Sequence, residues 1–281
     1  MISITQQDIL AHTASVKWAF SHQVEQDLLL CHAMTALFND HFLSGQIAMR
    51  GGTLLHKVHL APAARYSEDI DLVVVGTCSE NDLARAIRRV LKPVLEIPVK
   101  STWAELKLAI RNLVQPSKIL RLTYRLPSVS DPRRTLCIIV ETNVTERTSF
   151  LPAVEIPFAF SYRESTRQAM LKGFEIHEML GTKMRALFQR SRGRDLFDLY
   201  WALTRSRTPI SSRKIIVAFQ HYLEQESNRA PRSEFMQVLD RHLQDGGFCS
   251  DMNQLLRTGI AYNPQEAGEY VKKHLLSQLP R

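Results

Sequence analysis

No hydrophobic run in this chain is long enough to span a membrane. Its first residues, Met1-Ile2-Ser3-Ile4-Thr5-Gln6-Gln7-Asp8, lack the basic stretch and apolar core of a secretion signal. Both absences predict a cytoplasmic protein with no membrane partner. Cysteine is scarce. The four that occur, Cys31, Cys78, Cys137 and Cys249, lie far apart and form no C-x-x-C pair. That excludes a zinc knuckle and a disulfide framework, and it fits a reducing compartment. The ten histidines include no H-E-x-x-H spacing, which argues against a transition-metal centre. There is no internal repeat and no low-complexity tract. What remains is an ordinary globular composition, 44% hydrophobic, over 281 residues, enough for one large or two modest domains.

Charge is the first positive signal. Lysine and arginine number 36 against 28 acidic residues, a net charge of +8. An excess of this size favours a polyanionic partner, with nucleic acid the leading class.

The chemistry concentrates between Met49 and Val75. Gly51-Gly52-Thr53 follows the apolar run Ile47–Met49 and precedes the helix-compatible Leu54–Leu60. A glycine turn that opens a helix leaves backbone N–H groups free at the positive end of the dipole, a place for a phosphate. Asp69-Ile70-Asp71-Leu72-Val73-Val74-Val75 then reads as a buried strand. On an extended chain Arg65, Ser67, Asp69 and Asp71 are each two apart and share a face. Paired carboxylates on one face are costly as bare charges, and Mg²⁺ suits such hard oxygen ligands.

Gly52-Thr53 followed by Arg65-x-Ser67-x-Asp69-x-Asp71-Leu72 resembles the signature of the AbiEii/AbiGii toxin family. The resemblance implies a fold: an α/β minimal nucleotidyltransferase, similar to polymerase β, with a mixed sheet and helices. It extends over roughly residues 20 to 205. The family's helical lead-in is matched by apolar spacing over residues 5–40, with a break near Ser21-His22, which reads as scaffold. Phe42–Met49 reads as a short first strand. Ser79 is a candidate N-cap for a helix over Glu80–Leu91, closed by Pro93 and Pro98, with Arg85, Arg88, Arg89 and Lys92 on or near one side. Lys118–Leu126 alternates polar and apolar residues as a half-buried strand does, and Leu136–Thr142 reads as a buried one. Glu141 ends that strand, either as a solvent-facing acid or as a third ligand. The Val140-Glu141-Thr142-Asn143 pattern is similar to the family's, which takes a third carboxylate from a neighbouring strand. Leu151–Phe160, with Pro152 and Pro157 and little periodicity, reads as a linker or edge segment between domains. This puts a nucleotidyltransferase domain at 1–155 and a helical C-terminal domain at 156–281.

A second motif lies in the helical part. Lys183 falls on the apolar stripe of a helix that includes Ile176, Leu180 and Leu187. A lysine on an inward face needs an anionic partner. The partner is either a structural carboxylate or a nucleotide phosphate across a domain cleft. Gly193 breaks the helix, and Asp195 lies in the first turn of the next, where the dipole favours a carboxylate. Arg194 and Asp198, four apart, can pair on that helix. Lys183, Ala186, Leu187, Arg190, Arg194, Asp195, Leu196, Asp198 and Leu199 resemble the family's second signature. The remaining helical segments, Ser212–Leu223, Ser233–Leu243 and Ala267–Leu279, show no chemistry.

The resemblance implies transfer of a nucleoside monophosphate from an NTP to an acceptor hydroxyl, with release of pyrophosphate. It places Mg²⁺ on Asp69, Asp71 and Glu141. It places the β- and γ-phosphates on Gly52 and Thr53, and nucleotide contacts on Arg65, Ser67 and Lys183. Asp195 is then a supporting or acceptor-activating acid, and Glu141 either completes the metal site or acts as base. In the family such proteins are toxins with a separate antitoxin, and some modify the 3′ end of tRNA. RNA is therefore the expected acceptor, with Arg190, Arg192 and Arg194 as RNA contacts. Two other readings stand beside it: transfer to a protein or small molecule, and a non-catalytic nucleic-acid-binding module. The intact acids argue against the last.

Overall fold

The computed structural model describes residues 2–107, 116–147, 149–225 and 231–280. The chain divides into two compact units, one running to Phe174 and the other from Glu175.

The first unit begins with helices α1 (Gln6–Thr13), α2 (Ser21–Asn39) and the single turn α3 (Leu43–Gln46). Strand β1 (Ile47–Arg50) follows, so the first half of the expected strand Phe42–Met49 is helical instead. Helix α4 (Gly51–Leu54) runs directly into a π-turn, Leu55–His59. Strand β2 (Asp69–Val74) and helix α5 (Glu80–Leu95) come next, then β3 (Lys100–Lys107), β4 (Pro116–Pro127), β5 (Thr135–Asn143), β6 (Val154–Tyr162) and β7 (Ser165–Gly173). The seven strands form one mixed sheet in the order β3-β4-β5-β2-β1-β7-β6. The β2–β5 and β1–β7 pairings are parallel, the others antiparallel.

Alternation in the strands decides which face is covered. Ile70, Leu72, Leu120, Leu122, Tyr124, Leu136, Ile138 and Val140 are buried. Helix α2 lies against β2, β5 and β7, and α5 against β4 and α2. Ser79 caps α5 by accepting from Asp82 N at 3.1 Å, as its position in the sequence implied. Pro93 does not end this helix, which continues to Leu95. Proline removes one backbone hydrogen bond, but the turn beyond it buries Val94 and Leu95, which offsets the loss.

Of the two readings for Leu151–Phe160, linker or edge segment, the structure has the edge: the segment is largely strand β6, at the end of the sheet. Val154, Ile156, Phe158, Phe160 and Tyr162 alternate with exposed residues. The two prolines hide this period of two. Pro157 is tolerated because β6 is the edge of the sheet, where a missing N–H leaves no ladder bond unmade. The sheet therefore continues past residue 155 to Gly173.

Helix α2 is buried nearly all round and carries charge inside. Asp27 has 0% exposure and accepts from His12 Nε2 at 2.8 Å, Trp18 Nε1 at 2.9 Å and Lys57 Nζ at 2.5 Å. Burial alone would push the Asp27 carboxyl up. The Lys57 ammonium and the His12 hydrogen bond outweigh it and hold the carboxyl below the usual range. Lys57 lies in the π-turn after Gly51-Gly52-Thr53, so this pair pins the glycine-opened helix to the scaffold. Glu25, 2% exposed, accepts from Val129 N and Ser130 N and from the Ser128 and Ser130 hydroxyls, anchoring the β4–β5 turn.

The second unit is helical among the described residues: α6 (Ile176–Gln189), α7 (Gly193–Arg205), α8 (Ser212–Gln225), α9 (Arg232–Leu243), α10 (Gly246–Ser250) and α11 (Pro264–His274). Helix α6 packs on α7 and α8 around Leu180, Met184, Leu187, Phe197 and Phe219, all buried. No helix among the described residues is long and apolar enough to cross a membrane.

Asp27→Asn leaves Lys57 buried without its counter-ion, and should cost about 3–5 kcal/mol. Because the folded-state pKa of Asp27 is depressed, its contribution is fully present above the ordinary carboxylate value of 3.8 and is lost as pH falls below it. Urea unfolding midpoints at neutral pH and down an acid series check both statements. Equal midpoints for variant and wild type at neutral pH would refute the network's role.

Candidate active site

The glycine turn and the D-x-D strand meet at one end of the sheet. Gly51 adopts φ 79°, a left-handed conformation that residues with a side chain rarely take. A Cβ there would fall 1.9 Å from Asp71 Oδ2. A Cβ on Gly52 would fall 2.7 Å from Arg65 Nη2 and 2.8 Å from Ser67 Oγ. The two glycines thus let the backbone pass directly against three of the residues singled out in the sequence. Strand β2 begins only at Asp69, so Arg65 and Ser67 do not share its pleat. They converge on Gly52 from the preceding loop instead.

Thr53 plays a different part from the one its position suggested. It has 0% exposure, and its hydroxyl donates to the Asp69 carbonyl at 2.5 Å and lies 3.0 Å from Ser67 Oγ. That side chain ties the helix start to β2. The groups left to meet a phosphate at this turn are backbone N–H groups.

Register brings in the third acid. Asp71 pairs with Glu141 on β5, Glu141 with Arg121 on β4, and Asp71 with Arg50 on β1. Paired positions in a ladder share a face. The row across four strands therefore reads Arg121, Glu141, Asp71, Arg50, with Asp69 two residues from Asp71 on the same side. Arg121 reaches Glu141 Oε1 with Nε at 2.7 Å and Nη2 at 2.6 Å. Arg50 is ion-paired to Glu146 at 2.7 Å. Asp69, Asp71 and Glu141 are all partly exposed, so a ligand can reach them. Three carboxylates at adjacent sheet positions are a donor set of the hard-oxygen kind a divalent cation takes, whereas among the described residues the ligand atoms already within 4.8 Å of one another are those of His12, Asp27 and Cys31. The Asp71 carboxylate occupies the space that a side chain on Gly51 would fill, which fixes its position.

Lys183 and Asp195 come together in the helical unit. Lys183 Nζ lies 3.1 Å from Asp195 Oδ1 and 2.9 Å from Asp198 Oδ2, both acids at 0% exposure. Arg190 adds two bonds to Asp195, from Nε at 2.8 Å and Nη2 at 3.1 Å. Burial raises the Asp195 carboxyl, but Lys183 and Arg190 outweigh it and hold the carboxyl low. Of the two partners the sequence offered Lys183, the structure supplies the carboxylates. Arg194 pairs with Asp251 rather than Asp198, because Asp198 faces Lys183. Of the three arginines expected to meet RNA, Arg190 and Arg194 are ion-paired, and Arg192 is exposed. On α5, Arg85 pairs with Asp82, Arg89 with Asp40, and Arg88 donates to Ser101 Oγ.

Sequence reasoning missed two contributors, and it read Gly51 only as part of the glycine turn, without its contact to Asp71. Arg121 was legible as a polar position of an alternating strand. Lys57, in a helix read only as compatible, had no local signal.

A mixed sheet with a glycine-opened helix beside three carboxylates defines a nucleotidyltransferase-like architecture. Residues 32–269 match the family model of the nucleotidyl transferase AbiEii toxin of type IV toxin–antitoxin systems. The chain belongs to that family. Its fold is similar to that of MenT4, a nucleotidyltransferase toxin from Mycobacterium tuberculosis H37Rv, with a TM-score of 0.63 and 16% identity, covering 99% of this chain and 91% of that one. No curated protein matches it in sequence.

Two substitutions test the geometry. Gly51→Ala forces a side chain into the Asp71 carboxylate and should destabilise by more than the ~1–2 kcal/mol of a strained left-handed residue alone. Gly45→Ala, with nothing within 4 Å of its Cβ, is the control and should be near neutral. Lys183→Ala removes the cation shared by two buried carboxylates, with Arg190 left on Asp195, and should cost about 3–5 kcal/mol. Thermal unfolding reads both, and a Lys183→Ala midpoint at the wild-type value would show that the ion pairs contribute nothing.

Proposed function

We propose that this protein is a Mg²⁺-dependent nucleotidyltransferase toxin that moves a nucleoside monophosphate from an NTP to the 3′-terminal hydroxyl of tRNA. The observation that carries the reading is the row of carboxylates, Asp69, Asp71 and Glu141, set against the glycine-opened start of α4. In this reading the backbone N–H groups of the Gly51-Gly52-Thr53 turn take the triphosphate, where the dipole favours anions. Arg65, buried beside Gly52, orients the phosphates together with Ser67. Asp69, Asp71 and Glu141 hold the cation. Bound there, a divalent cation neutralises charge on the triphosphate and acidifies the attacking hydroxyl. The acceptor oxygen loses its proton and bonds to the α-phosphorus, and the bond from that phosphorus to the bridging oxygen of the β-phosphate breaks to release pyrophosphate. Family membership supports the reaction class and an antitoxin encoded separately. The net charge of +8 supports RNA over a neutral acceptor.

Incubation with each labelled NTP and total tRNA tests the reading. Wild type should label the RNA, while Asp69→Asn and Asp71→Asn should fold and lose nearly all transfer. Label on protein with RNA left unlabelled under all four NTPs would replace tRNA with a protein acceptor. Transfer at wild-type rate in either variant would remove the acids from the reaction.

A further inference from the structure

We infer that the uncovered face of β3, β4 and β5 is the path along which the acceptor RNA's phosphates reach the carboxylates. The inference rests on the RNA-acceptor reading above and locates it.

The helices of the sheet unit cover one face of these strands, burying Leu120, Leu122, Tyr124, Leu136, Ile138 and Val140. The opposite face carries Arg121, Thr123 and Arg125 on β4 and Cys137, Ile139 and Glu141 on β5. Arg125 pairs in register with Cys137, and both are exposed. Lys100, also exposed, pairs with Thr123, and Thr102 pairs with Arg121. Glu141, Asp71 and Asp69 are the acids at the open-face positions of β5 and β2. From β3 to β2 the charge pattern is one-directional, and beyond it Arg50 on β1 is ion-paired to Glu146. Cations spread over β3 and β4, and acids stand where they end, on β5 and β2.

The spacing points to a polymer rather than to the NTP. Arg121 and Arg125 are four residues apart, roughly 13 Å along a strand. Lys100 sits between them on the next strand. Arg121 is tied to Glu141, and Lys100 and Arg125 are the open cations: each can meet a separate phosphate of an extended strand. Of the arginines elsewhere, Arg190 and Arg194 are engaged with Asp195 and Asp251, and Arg85 and Arg89 with Asp82 and Asp40, while Arg192 is exposed. Among the described residues no carboxylate pairs with Lys100 or Arg125. The threonines between the cations add hydroxyls for sugar or phosphate oxygens.

Cys137 supplies a probe on this face, since it is the exposed member of the four free cysteines. Bulk tRNA should slow iodoacetamide labelling of Cys137, read by peptide mass spectrometry, and an NTP alone should not. In the double variant Lys100→Ala/Arg125→Ala, tRNA affinity at low salt should fall roughly tenfold, and the log–log salt slope should become shallower by about 1.4–1.8, two phosphate contacts' worth. NTP affinity should stay at the wild-type value, because neither residue belongs to the nucleotide site. If wild type binds and labels tRNA while the double variant keeps the wild-type slope and Cys137 stays unprotected, the path lies elsewhere and the inference is overturned. If wild type neither binds nor labels RNA under any NTP, the RNA-acceptor reading itself has failed, and that outcome is distinguishable from the first.

Discussion

The contact between a carboxylate and a glycine that has no side chain sets the terms for the sheet unit. Asp71 Oδ2 occupies the space next to Gly51 that any other residue would claim, and Gly52 gives the same room to Arg65 and Ser67. Only a backbone bare of Cβ atoms allows a helix start, a carboxylate, a hydroxyl and a guanidinium to share so small a volume. The rest of the local structure follows from holding that arrangement. Thr53 locks the helix start to the Asp69 carbonyl, and register aligns Glu141 beside Asp71.

Such a site needs rigid support, and here the support is electrostatic as well as apolar. Asp27, Lys57, His12 and Trp18 form a buried network that ties the π-turn behind the glycines to α2. The helical unit repeats the device with Lys183 between Asp195 and Asp198. Removing one partner of such a pair is far more damaging than never having had it, because the other charge stays in low dielectric. Both lysines are therefore held by the cost of uncovering their acids.

The acid row also sorts the basic charge of the chain into two kinds. Some arginines close ion pairs with local carboxylates and are part of the fold. On the open face of β3 and β4, Arg121 belongs to the first kind through Glu141, whereas Lys100 and Arg125 meet no described carboxylate. Net charge does not distinguish these groups; position on a strand and register with its neighbours do.

The sequence by itself determined the elements whose signal is local. The glycine doublet, the D-x-D strand, the Ser79 cap, the alternation of β4 and the helices bearing Lys183 and Asp195 all follow from composition and period over a few residues. Tertiary structure decided what depends on partners remote in the chain. Strand β6 exists because an edge position excuses Pro157, and α5 passes Pro93 because the next turn finds burial. Thr53 turns inward because Asp69 O and Ser67 Oγ wait there. Lys57 is buried because Asp27, thirty residues before it, is buried too. Glu141 becomes a neighbour of Asp71 only through β-sheet register, a relation between strands that the residues on either one do not encode.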